Sequence, residues 1–241
     1  MNKPFKPDHA FILAAGEGTR MRPLTNTIPK PMVELAGKPL IRHIIEKLDA
    51  EGVTDIGVNT HHLYDVIETD MAAITRPRIH VSRETTLLNT GGGVKKALSN
   101  LGTQPFYHIN GDAFWTDGYV PALTRLAQAW DASKMDILML LIPVEKMILT
   151  QGVGDYDLDT QGRAMRSVDQ RGQFMFTGIR ITSPYIFSDT IDENFSFLSL
   201  MDKSEKKGRL YGIVHDGDWH HISTPEDLSR VNAHLARVQS N

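Results

Sequence analysis

An α/β fold, a doubly wound and mostly parallel sheet carrying a small antiparallel lobe, is predicted by three observations. Short apolar runs alternate with amphipathic helical segments through residue 143, the rhythm of consecutive βαβ units. Glycine-rich or turn-forming stretches follow several of those runs, where open parallel sheets gather their ligands. Beyond Pro143 the pattern changes to short β-prone runs broken by Gly and Asp, as in an antiparallel insertion.

The elements follow in order. Phe11, Ile12 and Leu13 form an apolar run that is too short for a membrane span and suits a buried parallel strand. In "GKPLIRHIIEKLDAEG", Leu40, Ile44, Ile45 and Leu48 fall at helical spacing, with Gly52 as the stop. "TDIGVNT" reads as a strand, "HLYDVIETDMAAI" as a helix and "RIHVSRE" as a strand. "NTGGGVKKALSNL" reads as a glycine loop opening a helix, and "PFYHINGD" as a strand that ends in Asn110, Gly111 and Asp112. "YVPALTRLAQAW" is a helix and "DILMLLIP" a buried strand that completes the doubly wound half. A segment over 195–206 is apolar-spaced, "RLYGIVHDGDWHHI" is strand-like, and a final helix begins at Thr224 with Leu228, Val231 and Leu235 on one face.

The bulk composition narrows the function. At 241 residues the chain fits one domain, divided near Pro143 into halves of about 8–143 and 144–241, without internal repeat or hexapeptide array. Its net charge of −3 offers no basic face for nucleic acid or an anionic membrane, so neither is expected as a partner. With no cysteine there is no disulfide and no thiolate nucleophile. No apolar stretch reaches 18 residues and the N-terminus lacks a signal-like apolar core, so a cytoplasmic location is expected; nothing bears on oligomeric state.

The chemistry concentrates at three strand ends. Gly16 and Gly18 leave room for backbone N–H groups to turn toward an anion, and Arg20, Arg22 and Lys30 follow on a segment stiffened by Pro23, Pro29 and Pro31. It is not a dinucleotide fingerprint, which would need a third glycine at Met21, nor a Walker loop, which would need Gly-Lys-Ser or Gly-Lys-Thr. Gly91, Gly92 and Gly93 permit close approach to a flat ligand such as a nucleobase. Asp112, at the end of its strand beside a phosphate loop, is a natural Mg²⁺ ligand.

"LAAGEGTRMRPLTNTIPKPM" resembles the N-terminal motif of the sugar-1-phosphate nucleotidyltransferases, and "NTGGG", "NGD", "FTGI" and "WHHISTPEDL" follow in that family's order. The resemblance implies the Rossmann-like nucleotide-diphospho-sugar transferase fold, with a nucleotide-binding half and a sugar-phosphate-binding half. The implied reaction joins a sugar 1-phosphate to an NTP with release of pyrophosphate, using Mg²⁺. Among the branches, "NTGGG" and "NGDAFWTD" most resemble the N-acetylmuramic acid 1-phosphate uridylyltransferases of bacterial cell-wall recycling, with short mannose-1-phosphate guanylyltransferases close behind.

By this resemblance Arg20, Lys30 and Asp112 are the catalytic residues. Nucleotide contacts fall to Ala14, Ala15, Gly16, Gly18, Thr19 and Arg20, to Thr90, Gly91, Gly92 and Gly93, and to Asn110. Asn110, Gly154, Asp155, Thr177 and Gly178 are implied for the sugar. No lysine lies between 147 and 202 to hold the sugar phosphate, which leaves Lys30, Arg166 or Arg171 for that contact. The sequence departs from the family at "WHHIST", where His221 occupies the position of an aspartate that serves as second Mg²⁺ ligand. Imidazole suits Mn²⁺ or Co²⁺ better than Mg²⁺, so His221 is either a metal ligand or a polar neighbour of the phosphates. The competing class is a nucleotide-sugar sensor that binds nucleotide and releases no pyrophosphate.

Overall fold

The computed structural model describes residues 5–239. The chain opens with strand β1 (His9–Leu13), then a loop containing single turns of 3-10 helix at Thr19–Met21, Leu24–Asn26 and Lys30–Met32. A small hairpin, β2 (Glu34–Leu35) and β3 (Lys38–Pro39), leads into helix α1 (Leu40–Glu51). Next come β4 (Asp55–Thr60), α2 (Tyr64–Ala72), β5 (Arg78–Arg83), α3 (Asn89–Ala97), β6 (Phe106–Asn110), β7 (Phe114–Trp115), α4 (Ala122–Ala129) and β8 (Ile137–Pro143). The second half contains β9 (Tyr156–Leu158), β10 (Ala164–Arg166), β11 (Phe174–Thr182), α5 (Leu198–Lys206), β12 (Leu210–Val214), β13 (Trp219–His220) and α6 (Pro225–Gln239).

The βαβ rhythm produces a parallel block in which β6, β1, β4 and β5 lie side by side. Helices cover both of its faces, which explains the unbroken apolar run of β1. Phe11 packs with Val94, Ala97 and Leu101 on one side, while Ile12 packs with Ile41, Ile44 and Ile45 on the other. The expected stop of α1 is a glycine in the left-handed conformation: Gly52 has φ 88° and returns its N–H to the carbonyls of Leu48 and Asp49. Helix α6 begins on a reciprocal cap, the Thr224 N–H donating to the Asp227 carboxylate and the Asp227 N–H to the Thr224 hydroxyl.

The sheet departs from the expected order beyond β6. Strand β8 does not extend the parallel block; β11 lies between β6 and β8 and runs antiparallel to both, while β12 adds to the far side of β8 in parallel. The β9–β10 pair extends from the start of β11 and supplies the expected antiparallel lobe. The β11–β8 register shifts between Phe176 and Arg180, around Gly178 at φ 80°. An added Cβ there would lie 2.8 Å from the Asn110 amide nitrogen, so glycine lets β11 close on the end of β6. Among the described residues no helix is long and apolar enough to cross a membrane.

The three glycines of "NTGGG" are not a loop. They form the buried start of α3, Gly91 and Gly92 beneath the segment at 193–195 and Gly93 against Glu84 and Asn59. A Cβ on Gly91 would meet the Phe195 ring at 2.3 Å, one on Gly92 the Glu193 carbonyl oxygen at 1.9 Å, and one on Gly93 the Glu84 carboxylate at 2.5 Å. Tertiary packing therefore outweighs the backbone entropy that glycine costs a helix. Gly92→Ala tests this, because in an unobstructed helix alanine would stabilise by about 1 kcal/mol. Here overpacking should cost about 1–3 kcal/mol, lowering Tm by roughly 3–10 °C. A raised Tm in a thermal melt would show that the 193–195 segment moves aside freely.

Candidate active site

A cleft of about 540 Å³ opens over the carboxyl ends of β1, β4 and β6. Its lining comprises Leu13 to Gly16, Gly18 to Met21, Lys30, Pro31, Asn59, Leu87, Asn89, Thr90, Asn110, Asp112, Asn194 and Ser223. The loop's shape comes from two contacts. Gly18 has φ 62°, and a Cβ on it would lie 2.9 Å from that of Lys30. The Thr25 hydroxyl donates to the Gly18 carbonyl at 2.8 Å, folding the basic segment back on the turn. Met21 is fully buried with Val33, Leu35, Leu40, Phe114, Ile222 and Val231, so the loop is anchored from beneath while Arg20 stays exposed beside the cleft. A Cβ on Gly16 would meet nothing within 4 Å, so the backbone there faces open space.

Lys30 and Asp112 both line the cleft and are paired there, the Lys30 ammonium donating to Asp112 Oδ2 at 2.5 Å. Burial pushes the Asp112 carboxyl up, but the charge and hydrogen bond of Lys30, aided by nearby His221, hold it below the usual carboxylate range. It is therefore ionised at neutral pH. His221 does not line this cleft; its N–H donates to Thr150 Oγ1, its Nδ1 lies 3.3 Å from the Gln151 carbonyl and its ring stacks on Trp219. No group of three or more potential His, Cys, Asp or Glu metal ligands exists among the described residues. A single carboxylate in a cleft that also carries Arg20 and Lys30 nevertheless fits Mg²⁺, which usually binds one or two carboxylates and can complete its shell with phosphate oxygens and water.

A second cleft, about 330 Å³, shares Leu13, Thr90 and Asn110 with the first and extends toward β9 and β11. Asp155, Tyr156, Arg166, Phe176, Arg180 and Met201 are among its walls. Burial pushes the Asp155 carboxyl up, offset in part by the Phe176 N–H it accepts and by His221. The remaining expected sugar residues lie elsewhere. Thr177 is buried and donates to the Leu140 carbonyl, and Gly154 is required where the chain crosses Gly172, whose carbonyl oxygen would sit 1.7 Å from a Cβ. Arg166 is paired with Asp202 at 2.9 Å, and Arg171 is largely exposed with Asp169 at 4.0 Å.

The sequence pattern did not point to the polar network behind the loop that follows β1. Asn59, at the end of β4, accepts from the Ala14 N–H at 2.7 Å and donates to Glu84 at 2.7 Å; Glu84 accepts from the Leu88 N–H at 2.9 Å. Both side chains are buried, so this chain of bonds fixes the loop after β1 against the start of α3. A polar residue closing each of two neighbouring strands, "VNT" and "SRE", was the available signal.

The comparisons with known proteins agree with this architecture. Residues 9–153 match the nucleotidyl transferase family. The chain is 36% identical over 238 residues to N-acetylmuramate alpha-1-phosphate uridylyltransferase of Caulobacter vibrioides, covering 96% of this chain and 98% of that one. It is 25% identical to D-glycero-alpha-D-manno-heptose 1-phosphate guanylyltransferase of Aneurinibacillus thermoaerophilus, covering 94% and 97%. Among solved structures, HddC from Yersinia pseudotuberculosis complexed with GMP-PN superposes with a TM-score of 0.76 at 25% identity, over 94% of this chain and 99% of the other. The chain belongs to the sugar-1-phosphate nucleotidyltransferase family and is an enzyme of that class.

Proposed function

We propose that this enzyme joins N-acetylmuramic acid 1-phosphate to UTP, giving UDP-N-acetylmuramic acid and pyrophosphate, as a step in peptidoglycan recycling. The observation carrying the proposal is the 36% identity, over nearly the full length of both chains, to a protein named for that reaction. Two connected clefts of suitable size support it, one for the nucleotide and one for the sugar.

In this reading a phosphate oxygen of the sugar 1-phosphate attacks the α-phosphorus of UTP. The bond between that phosphorus and the bridging oxygen breaks, and pyrophosphate leaves. The nucleophile is already an anion, so no side chain need remove a proton. The demand is for charge compensation between two anions. Ala14, Ala15, Gly16, Gly18 and Thr19 hold the triphosphate through the loop backbone, and Arg20 binds the leaving β and γ phosphates with its planar fork. Lys30 releases Asp112 in part to meet the approaching phosphates. Asp112 would hold Mg²⁺, which when bound supplies charge neutralisation between the two reactants. Thr90 and Asn110, at the junction of the clefts, divide nucleotide from sugar. Gly91 and Gly92 act by letting 193–195 pack close to the nucleotide wall, Gly93 by leaving room for Glu84 and Asn59, and Asp155 faces the sugar.

A matrix of UTP, GTP, CTP and dTTP against sugar 1-phosphates with Mg²⁺, read as pyrophosphate release, tests the proposal. UTP with the muramic sugar should give the highest kcat/KM. The guanylyltransferase relative makes GTP with mannose or heptose 1-phosphate the rival pair, and a clear win for either would replace the proposal. Nucleotide binding without pyrophosphate release from any pair would identify a sensor.

A further inference from the structure

The second cleft is lined by a buried cation, Arg180, that pairs with no carboxylate among the described residues, although Asp155 lines the same cleft. Arg180, on β11 opposite His108 of β6, is 3% exposed and lines this cleft but not the first. Among the described residues, the side chains in contact with its guanidinium are neutral. Its Cζ lies 4.3 Å from the centroid of Phe197 and 5.2 Å from that of Phe176. Its Nε donates to His108 Nδ1 at 3.0 Å while its Nη2 lies 2.6 Å from His108 Nε2. A neutral imidazole has one acceptor nitrogen and a guanidinium has none, so only one of those two contacts is a hydrogen bond. Burial holds the His108 imidazole well below its usual range, keeping it neutral, and lowers Arg180 to about 9.

The contrast with the other arginines is informative. Arg42, Arg78, Arg166 and Arg209 each have an aspartate within 2.9 Å. Arg180 is more deeply buried than any of them and faces a cavity instead. Uncompensated buried charge is costly, whereas a guanidinium at a cavity wall is the preferred partner of a carboxylate or phosphate. Its position separates those two anions. A sugar phosphate with its phosphate beside Lys30 and Asp112 and its sugar across the shared lining at Asn110 and Thr90 would bring its far end into the cleft that Arg180 lines.

We propose that Arg180 is the specificity-determining residue for a carboxylate carried on the sugar, remote from its 1-phosphate. The inference rests on the function proposed above and deepens it, because the lactyl ether of N-acetylmuramic acid supplies such a carboxylate and N-acetylglucosamine does not. The cation is stacked between Phe176 and Phe197 and oriented by His108, so that an entering carboxylate meets a preformed donor.

The test compares three acceptors with UTP: N-acetylmuramic acid 1-phosphate, its lactyl amide, and N-acetylglucosamine 1-phosphate. Wild-type kcat/KM should fall about 10- to 100-fold from carboxylate to amide, the range for loss of a charged hydrogen bond, chiefly through KM. Arg180→Met should no longer separate carboxylate from amide, and its loss on the muramic sugar should exceed its loss on the glucosamine sugar by the same factor. Calorimetric binding of the two muramic ligands to wild type gives the same comparison without turnover and without a variant, should Arg180→Met not fold. Equal wild-type binding or turnover of carboxylate and amide, or equal losses on both sugars in a folded variant, overturns the inference. Neither result alters the choice of nucleotide or the release of pyrophosphate, which test the underlying function separately.

Discussion

Asp112→Asn is expected to lose about a thousandfold in kcat, the scale of a metal-dependent contribution of several kcal/mol, at every Mg²⁺ concentration tried. The substitution preserves shape and leaves an oxygen to accept from Lys30, so the 2.5 Å contact can survive in a weaker form. What disappears is the negative charge, and with it the only carboxylate that lines the first cleft among the described residues. His221→Ala should behave differently. That ring stacks on Trp219 and borders the site without lining the cleft, so its loss should leave a measurable enzyme that still depends on metal. His221→Asp should lower the Mg²⁺ needed for half-maximal rate, because a hard oxygen replaces a nitrogen that Mg²⁺ binds poorly. A large gain with Mn²⁺ in the wild type would mark the imidazole as a ligand. Metal binding by calorimetry should track these rates. Retention of most activity by Asp112→Asn at ordinary Mg²⁺ would remove Asp112 from the metal site.

Much of this site could be read from the chain because its residues follow their strands directly. The loop after Leu13 and the Asn110–Asp112 turn end β1 and β6, and the two strands are neighbours, with Leu13 opposite Asn110. Local pattern therefore placed Lys30 and Asp112 near the same strand ends, although the contact between them spans 82 positions. What escaped depended on long-range register. The position of β11 between β6 and β8 follows from antiparallel pairing that no local period encodes. "TGIRIT" looks like alternation with an outward Arg180, yet β11 is buried on both faces, which turns a residue of solvent-exposed type into a cavity wall. In "NTGGG" the expected loop is helix for a related reason: the glycines report a need for space, and the partners that fill it, Phe195 and Glu193, lie about a hundred residues away where no local pattern names them.

Arg20→Ala should fold normally and still turn over about 100-fold or more slowly, the loss typical of removing one preorganised charge-stabilising donor. The fold has little to lose at this position. Arg20 is exposed and forms no hydrogen bond or ion pair with the described residues, whereas its neighbour Met21 carries the packing that anchors the turn. Tm should therefore stay within about 2 °C, since surface changes away from packing contacts usually fall within half a kcal/mol. Arg20→Lys should remain poor, because a point charge cannot reproduce two parallel N–H donors on a pyrophosphate oxygen pair. The reverse reaction supplies an independent check. A substitution cannot change the overall equilibrium constant, so the loss in the forward direction must be matched by an equal loss in the combined kinetic constants for pyrophosphorolysis. If Arg20 holds the leaving phosphates, the reverse loss should appear in KM for pyrophosphate as well as in kcat, with KM for the nucleotide-sugar little changed. A folded Arg20→Ala enzyme with near wild-type turnover, or one whose reverse defect falls on the nucleotide-sugar alone, would place the leaving-group contact on another cation of the loop.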